Sequence, residues 1–195
     1  QCGTGSASII TTAGGERITG GSGALTVSDH DWYGVGDTLT VQAGSGTVHI
    51  SNGGGGAIDF IGGTGDAVVN GGGGSLNVTA GGGNTDVTTG GALLFIAGTG
   101  TSDIGIGAKS GTITFGSGNT TVHELVSWGA ADVFRCVAGQ GGGTDIINGF
   151  RVGTDQLDLQ GVGVASKSVS GGSTYLTLTD NTHIQFVGVA NFGVA

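Results

Sequence analysis

Residues 60–91 read FIGGTGDAVVNGGGGSLNVTAGGGNTDVTTGG, and their spacing decides the fold. Phe60, Val69, Val78 and Val87 fall nine residues apart, and the count continues to Ile96. Between them lie glycine clusters at Gly62–Gly63, Gly71–Gly74, Gly81–Gly83 and Gly90–Gly91. A short apolar strand followed by a glycine-rich turn, repeated at a fixed period, is the signature of a solenoid with two strands per coil. Glycine suits turns that visit positive φ and backbones stacked at close range. No single coil buries its own apolar face, so stacking supplies the core, each buried Val, Ile or Phe contributing about 1.5–3 kcal/mol.

Working outward, the same spacing links Ile9, Ile18 and Val27, then Val41 and Ile50, then Ile106 and Phe115. The phase slips by one residue between Ile50 and Phe60 and between Ile96 and Ile106, and by five across SDHDWYGVGD (residues 28–37), which read as insertions at turns. The regular stretch from Thr38 to Val122 corresponds to roughly five coils, a rod of about 24 Å. Past Gly161 the pattern changes to period two. There, strands joined at Gly171-Gly172 and at Asp180-Asn181 form an antiparallel meander. The expected fold is all-β: a parallel β-solenoid of nine-residue half-coils with a C-terminal β-meander cap. Residues 1–37 hold N-terminal coils and the loop insertion, 38–130 the glycine-rich solenoid, and 131–195 the closing segment and hairpin cap.

Composition narrows the function. Of 195 residues, 47 are glycine and none is proline, which excludes helical folds and collagen. The hydrophobic fraction of 36% against 10% charged gives the chain something to bury, unlike a disordered glycine-rich tract. A net charge of −9 disfavours nucleic acid and anionic membrane surfaces, and no apolar run reaches the ~18 residues of a membrane span. The start at Gln1 reads as that of a processed chain or a fragment.

The tract from Phe60 to Gly91 resembles the repeats-in-toxin family, whose nonapeptide is Gly-Gly-x-Gly-x-Asp-x-apolar-x. The segment ADVFRCVAGQGGGTDIINGFRVGTDQLDL (131–159) is similar to the one that closes such repeats in proteins exported by type I secretion. The resemblance implies a β-roll, an extracellular or cell-surface location, a C-terminal export signal, and calcium held by the sixth-place aspartate with turn carbonyls. The motif is degenerate here: Ala67 and Leu76 stand at the sixth place, and Asp86 alone keeps it. Candidate calcium ligands are therefore Asp86, with Asp145 and Asp155 near the closure; the alternative is that these aspartates cap turns. Calcium is optional for a rod held by apolar stacking, and no cofactor is required.

Other features give little chemistry. No serine sits in an esterase-like strand-to-helix turn, and five Lys and Arg cannot build the charged groove of a β-helical lyase. The chain is read as no enzyme. Threonines recur but not in one register, which weighs against ice binding. Asp29-His30-Asp31-Trp32-Tyr33 reads as a bulging loop rather than a metal or sugar site. Cys2 and Cys136 are candidates for a disulfide, within one molecule or between neighbours, or for two free thiols. The leading expectation is a secreted structural protein whose partner is itself, assembling into a filament, matrix or surface layer. The joint would be end-on stacking of coil edges or insertion of the N-terminal strand Ser8-Ile9-Ile10-Thr11-Thr12 into a neighbour. A calcium-stabilised module of a secreted adhesin or enzyme is the alternative.

Overall fold

The computed structural model describes residues 2–12, 15–30, 38–190 and 192–193. Its strands are β1 (Ala7–Thr11), β2 (Arg17–Thr19), β3 (Leu25–Asp29), β4 (Thr38–Gln42), β5 (Val48–Asn52) and β6 (Ala57–Ile61). They continue as β7 (Ala67–Asn70), β8 (Leu76–Thr79), β9 (Thr85–Thr89), β10 (Leu93–Ile96), β11 (Ser102–Ile106) and β12 (Gly111–Thr114). The closing part holds β13 (Thr120–Glu124), β14 (Val133–Val137), β15 (Thr144–Asn148), β16 (Gln156–Gln160), β17 (Val164–Ser170), β18 (Ser173–Leu178) and β19 (His183–Val187). Odd strands up to β15 stack in parallel in one sheet and even strands in a second, so that β1 to β16 make eight coils. Among the described residues there is no helix.

Apolar ladders run the length of the rod because each coil places its inward residues on those before. In the first sheet Ile9, Val27, Ile50, Val69, Val87, Ile104, Val122 and Ile147 share one register. In the second, Ile18, Val41, Phe60, Val78, Phe95, Ile113, Phe134 and Leu157 do the same. Two of the three slips read from the sequence have their counterparts: Leu25 pairs with Val48, 23 residues on, and Val48 with Ala67, 19 on, against 18 for Ala67 with Thr85. The slip expected between Ile96 and Ile106 does not occur: Phe95, Ile104 and Ile113 hold the ladder at steps of nine in place of Ile96, Ile106 and Phe115. Thr85 pairs with Ser102, only 17 residues on, so the ladder takes Phe95 while Ile96 is 40% exposed. Leu93-Leu94-Phe95-Ile96 is apolar throughout, and a count of nine from Val87 cannot see a shortened coil.

The glycine-rich corners also have a narrower cause than expected. Within residues 38–130 only Gly72 has a positive φ among the described residues. What requires glycine is the coil before it. A Cβ on Gly63 would lie 1.9 Å from the Gly44 carbonyl oxygen, and one on Gly81 would lie 2.0 Å from that of Gly63. Any side chain there would push the coils apart.

After β16 the chain crosses back and extends the first sheet alone. β19 pairs in parallel with β15, and β18 and β17 add antiparallel strands outside it. The first turn uses Gly171 and Gly172 at φ +57° and +77°, as a two-residue hairpin turn demands; the second uses Asn181 at +66°. Phe150, Phe186 and Phe192, with ring centroids 4.7–4.9 Å apart, close the core beneath this meander.

Candidate functional site

The two ends of the solenoid expose what its middle uses up. β1 has a neighbour on one side only, and so has β2. Ala7 donates its N–H to the Ala24 carbonyl, and the Thr11 carbonyl accepts from His30, so residues 7, 9 and 11 face β3. By strand alternation the backbone groups of Ser8 and Ile10 point off the end of the molecule. The edge carries no charge or proline, Ile9 is half-buried where Val27 is fully buried, and Ile10 is 66% exposed. Thr12 follows the strand, exposed. The N-terminal segment is thus the docked outermost strand of the sheet, with Thr11 Oγ1 bonded to Asp29 Oδ1 at 3.1 Å.

At the opposite end β17 is the edge of the first sheet, and all seven of its residues are exposed. It is antiparallel to β18, which is antiparallel to β19, so β17 runs in the same direction as β15 and β1. Lys167, which bonds the Phe192 carbonyl, and a bulge near Val164 interrupt this edge. The second sheet stops at β16, leaving Leu157 and Leu159 half-covered in a shallow groove with Val152 and Phe192.

The acidic residues of the closing segment share a local logic. Asp132 Oδ1 accepts from the N–H of Gly111, Asp145 Oδ1 from Thr120 at 3.1 Å, and Asp155 Oδ1 from Asp132 at 3.0 Å. Each aspartate sits at the start of a strand, just before β14 and β16 or second in β15, and reaches its own register mate in the preceding coil.

Three carboxylates, Glu124, Asp132 and Asp155, then converge on Arg151. Its Nε lies 3.0 Å from Glu124 Oε2, and its Nη2 2.7 Å from Asp155 Oδ1 and 3.4 Å from Asp132 Oδ2. The same guanidinium donates to the Gly129 and Ala130 carbonyls at 2.7 and 2.6 Å. Burial, reinforced by Asp155, pushes Glu124 up to about 8 against the pull of Arg151. Burial also raises Asp132 to about 6. Burial acts upward on Asp155 too, but its hydrogen bonds from Arg151 and Asp132 prevail and hold it below the usual carboxylate range.

Tested against these surroundings, the three candidate calcium ligands part company. Both oxygens of Asp155 are engaged by Arg151 and backbone N–H groups, so a guanidinium stands where the cation was expected. Asp86 is the second residue of β9, exposed on the outer face of the first sheet in register with exposed Asp103, a poor match to a cation needing 6–8 oxygens. Asp145 fits better: it is fully buried, its Oδ2 has no hydrogen-bond partner, and Asp180 of the meander turn lies close enough for its charge to act on it. Glu124, Arg151 and Thr120 were not singled out from the sequence, and Asp180 was read there only as a turn residue. The spacing that marks the aspartates, Asp-x-apolar in DVF, DII and DQL, was available there.

The remaining candidates do not meet. Both cysteines are free. Cys2 bonds the Thr19 carbonyl in the first coil, while Cys136 lies in β14, with five strands between β14 and β2 in the second sheet. That separation is about 29 Å at the usual strand spacing, far beyond the ~7 Å limit of a disulfide. Cys136 is also buried, which pushes its thiol up to about 12. Of the aromatic loop, Asp29 is buried and bonded to Thr11, and residues 31–33 lie outside the described residues. No known family model matches the chain, and no curated protein matches its sequence.

Proposed function

We propose that this protein is a secreted structural subunit that assembles with itself, end to end, into an extracellular filament or layer. The observation that carries this reading is the relation between the terminal strands of the first sheet. β1 and β17 are both unpaired on their outer edges and run in the same direction. A copy translated along the axis therefore sets its β1 beside β17 in parallel, as neighbouring coils do within one molecule. A head-to-tail contact of this kind does not close and propagates as a filament. Unprotected edges are usually blunted by charge or proline, and β1 has neither. One column of the second sheet, Thr19, Gln42, Ile61, Thr79, Ile96, Thr114, is too mixed to present a threonine rank.

The test is sedimentation velocity on the wild type and on Ile10→Pro. Proline deletes an outward N–H and an exposed apolar side chain without touching the β1–β3 ladder. Large assemblies for the wild type and monomers for the variant support the reading; monomeric wild type under all conditions contradicts it.

A second reading, the calcium-stabilised module of a larger secreted protein of repeats-in-toxin type, draws support from the buried carboxylates beside the meander.

A further inference from the structure

Trp128 is 75% exposed, the most exposed of the large apolar side chains among the described residues. Its turn is tied down on both sides. Leu125 N–H bonds the Ile106 carbonyl at 2.8 Å, Ala130 N–H bonds the Ala108 carbonyl at 2.9 Å, and Arg151 holds the Gly129 and Ala130 carbonyls. The Leu125 side chain lies over Gly105, where a Cβ would sit 3.3 Å from its Cδ1. The backbone thus presents the indole outward in one place, so that binding has little further ordering to do. A fixed, exposed tryptophan is the commonest kind of anchor at a protein interface.

The coil geometry gives the indole a counterpart. Connections from odd to even strands line one edge of the rod, and those from even to odd strands line the other. Trp128 sits in the connection from β13 to β14, on the first edge. On the opposite edge, between stacked turns at residues 96–99 and 116–117 with Gln140 beyond them, lies a shallow hollow of about 300 Å³. Ile96 is its exposed apolar rim. Stacking keeps it open, because a Cβ on Gly116 would lie 2.5 Å from the Gly98 carbonyl oxygen. These turns follow β10, β12 and β14, so the hollow brackets the level of Trp128 along the rod. A copy moved sideways without rotation brings the Trp128 edge of one rod to the hollow of the next at about the same level.

Charge favours a second copy as the occupant. The chain carries a net charge of −9, yet neither residues 125–130 nor the lining of the hollow includes a charged side chain. Two acidic rods meet with least repulsion at such places, and a partner recognised by charge finds nothing to pair with at either. We propose that Trp128 of one copy seats in the hollow beside Ile96 of a laterally adjacent copy, joining parallel rods side by side. The contact is heterologous and does not close, so it repeats from rod to rod and builds a layer. It goes beyond the end-to-end joint and does not depend on it.

A single contact of this size is weak, with a dissociation constant on the order of 10⁻⁴ M, so isolated pairs separate at micromolar concentration and the contact gains strength where rods present it repeatedly. The experiment is sedimentation equilibrium of the Ile10→Pro chain, whose end joint is blocked, at concentrations up to about 1 mM. The expected result is a reversible association that Trp128→Ser and Ile96→Lys, each added to this chain, weaken at least about tenfold. Ser51→Lys, a charge on the outer face of the first sheet, leaves it intact. Mixing the Trp128→Ser chain with the Ile96→Lys chain restores pairing, since the first keeps the hollow and the second the indole. All three positions are exposed, and unchanged circular dichroism spectra show that the variants fold. An Ile10→Pro chain that stays monomeric, or association undiminished by Trp128→Ser, overturns the proposal. Failure of the end joint shows instead in the wild type compared with Ile10→Pro and leaves this comparison readable.

Discussion

Arg151 Nε and Glu124 Oε2 lie 3.0 Å apart across the joint where the solenoid closes, tying the end of β13 to the connection that leads into β16. Through the same guanidinium the chain between β13 and β14 is held by its Gly129 and Ala130 carbonyls. That connection is a long one: Thr112 pairs with Val133, 21 residues on, against 18 for Ala67 with Thr85. Arg151 is the brace that lets a longer loop keep the stacking register.

Removing that brace leaves three partly or wholly buried carboxylates facing one another. Arg151→Met is expected to lose about 3–5 kcal/mol of stability, on the order of 10 °C in melting temperature for a chain of this size. Urea unfolding with far-ultraviolet circular dichroism measures it. A loss under about 1 kcal/mol, the range of an exposed ion pair, would place the cluster in solvent instead.

The same cluster sets a pH dependence. Glu124 is raised from 4.5 to about 8 in the folded chain, so the folded state holds a proton that the unfolded state has released. Stability from this group is full below its unfolded value and is lost as pH rises through about 8. Asp132, raised to about 6, acts with the same sign at lower pH. The denaturation midpoint should therefore fall between pH 6 and pH 9, and Glu124→Gln should flatten that fall. A midpoint that rises over this range contradicts the assignment.

Glycine substitutions separate close approach from turn conformation. Gly81→Ala places a methyl group 2.0 Å from the Gly63 carbonyl oxygen and is expected to lower the melting temperature sharply. Gly55→Ala meets nothing within 4 Å and has no positive φ, so its effect should stay within about 1 kcal/mol of neutral. Equal losses at the two positions would mean that conformational freedom, not stacking, selects glycine.

The solenoid was legible because both of its causes are periodic in sequence: apolar residues at nine-residue steps, and glycine wherever one backbone passes under another. The meander was legible from Gly171-Gly172 and Asp180-Asn181, whose residue types the turns require. Ile96, and with it Ile106 and Phe115, stand off the ladder because four successive apolar residues hide a shortened coil. The polar joint was harder to see. Glu124, Asp132, Arg151 and Asp155 span three connections, and nothing in local spacing says that an arginine will occupy the centre of the acids. Asp145 and Asp180 are joined only by the pairing of β19 with β15, 39 residues apart in register between Thr144 and His183. The N-terminal strand was expected to insert into a neighbour; its place as the docked edge of its own sheet, with Ser8 and Ile10 facing outward, follows from the direction of the Ala7 and His30 hydrogen bonds.

The most direct measurement is the axial rise per subunit in filaments imaged by electron cryomicroscopy. With β1 of one copy beside β17 of the next, the first sheet contributes 11 strands per subunit, and at about 4.8 Å each the rise is about 53 Å, with the strand spacing continuous across the joint. Filaments with that repeat are the predicted result. Isolated particles, or a repeat in which the 4.8 Å spacing breaks at every subunit, would contradict end-to-end strand pairing.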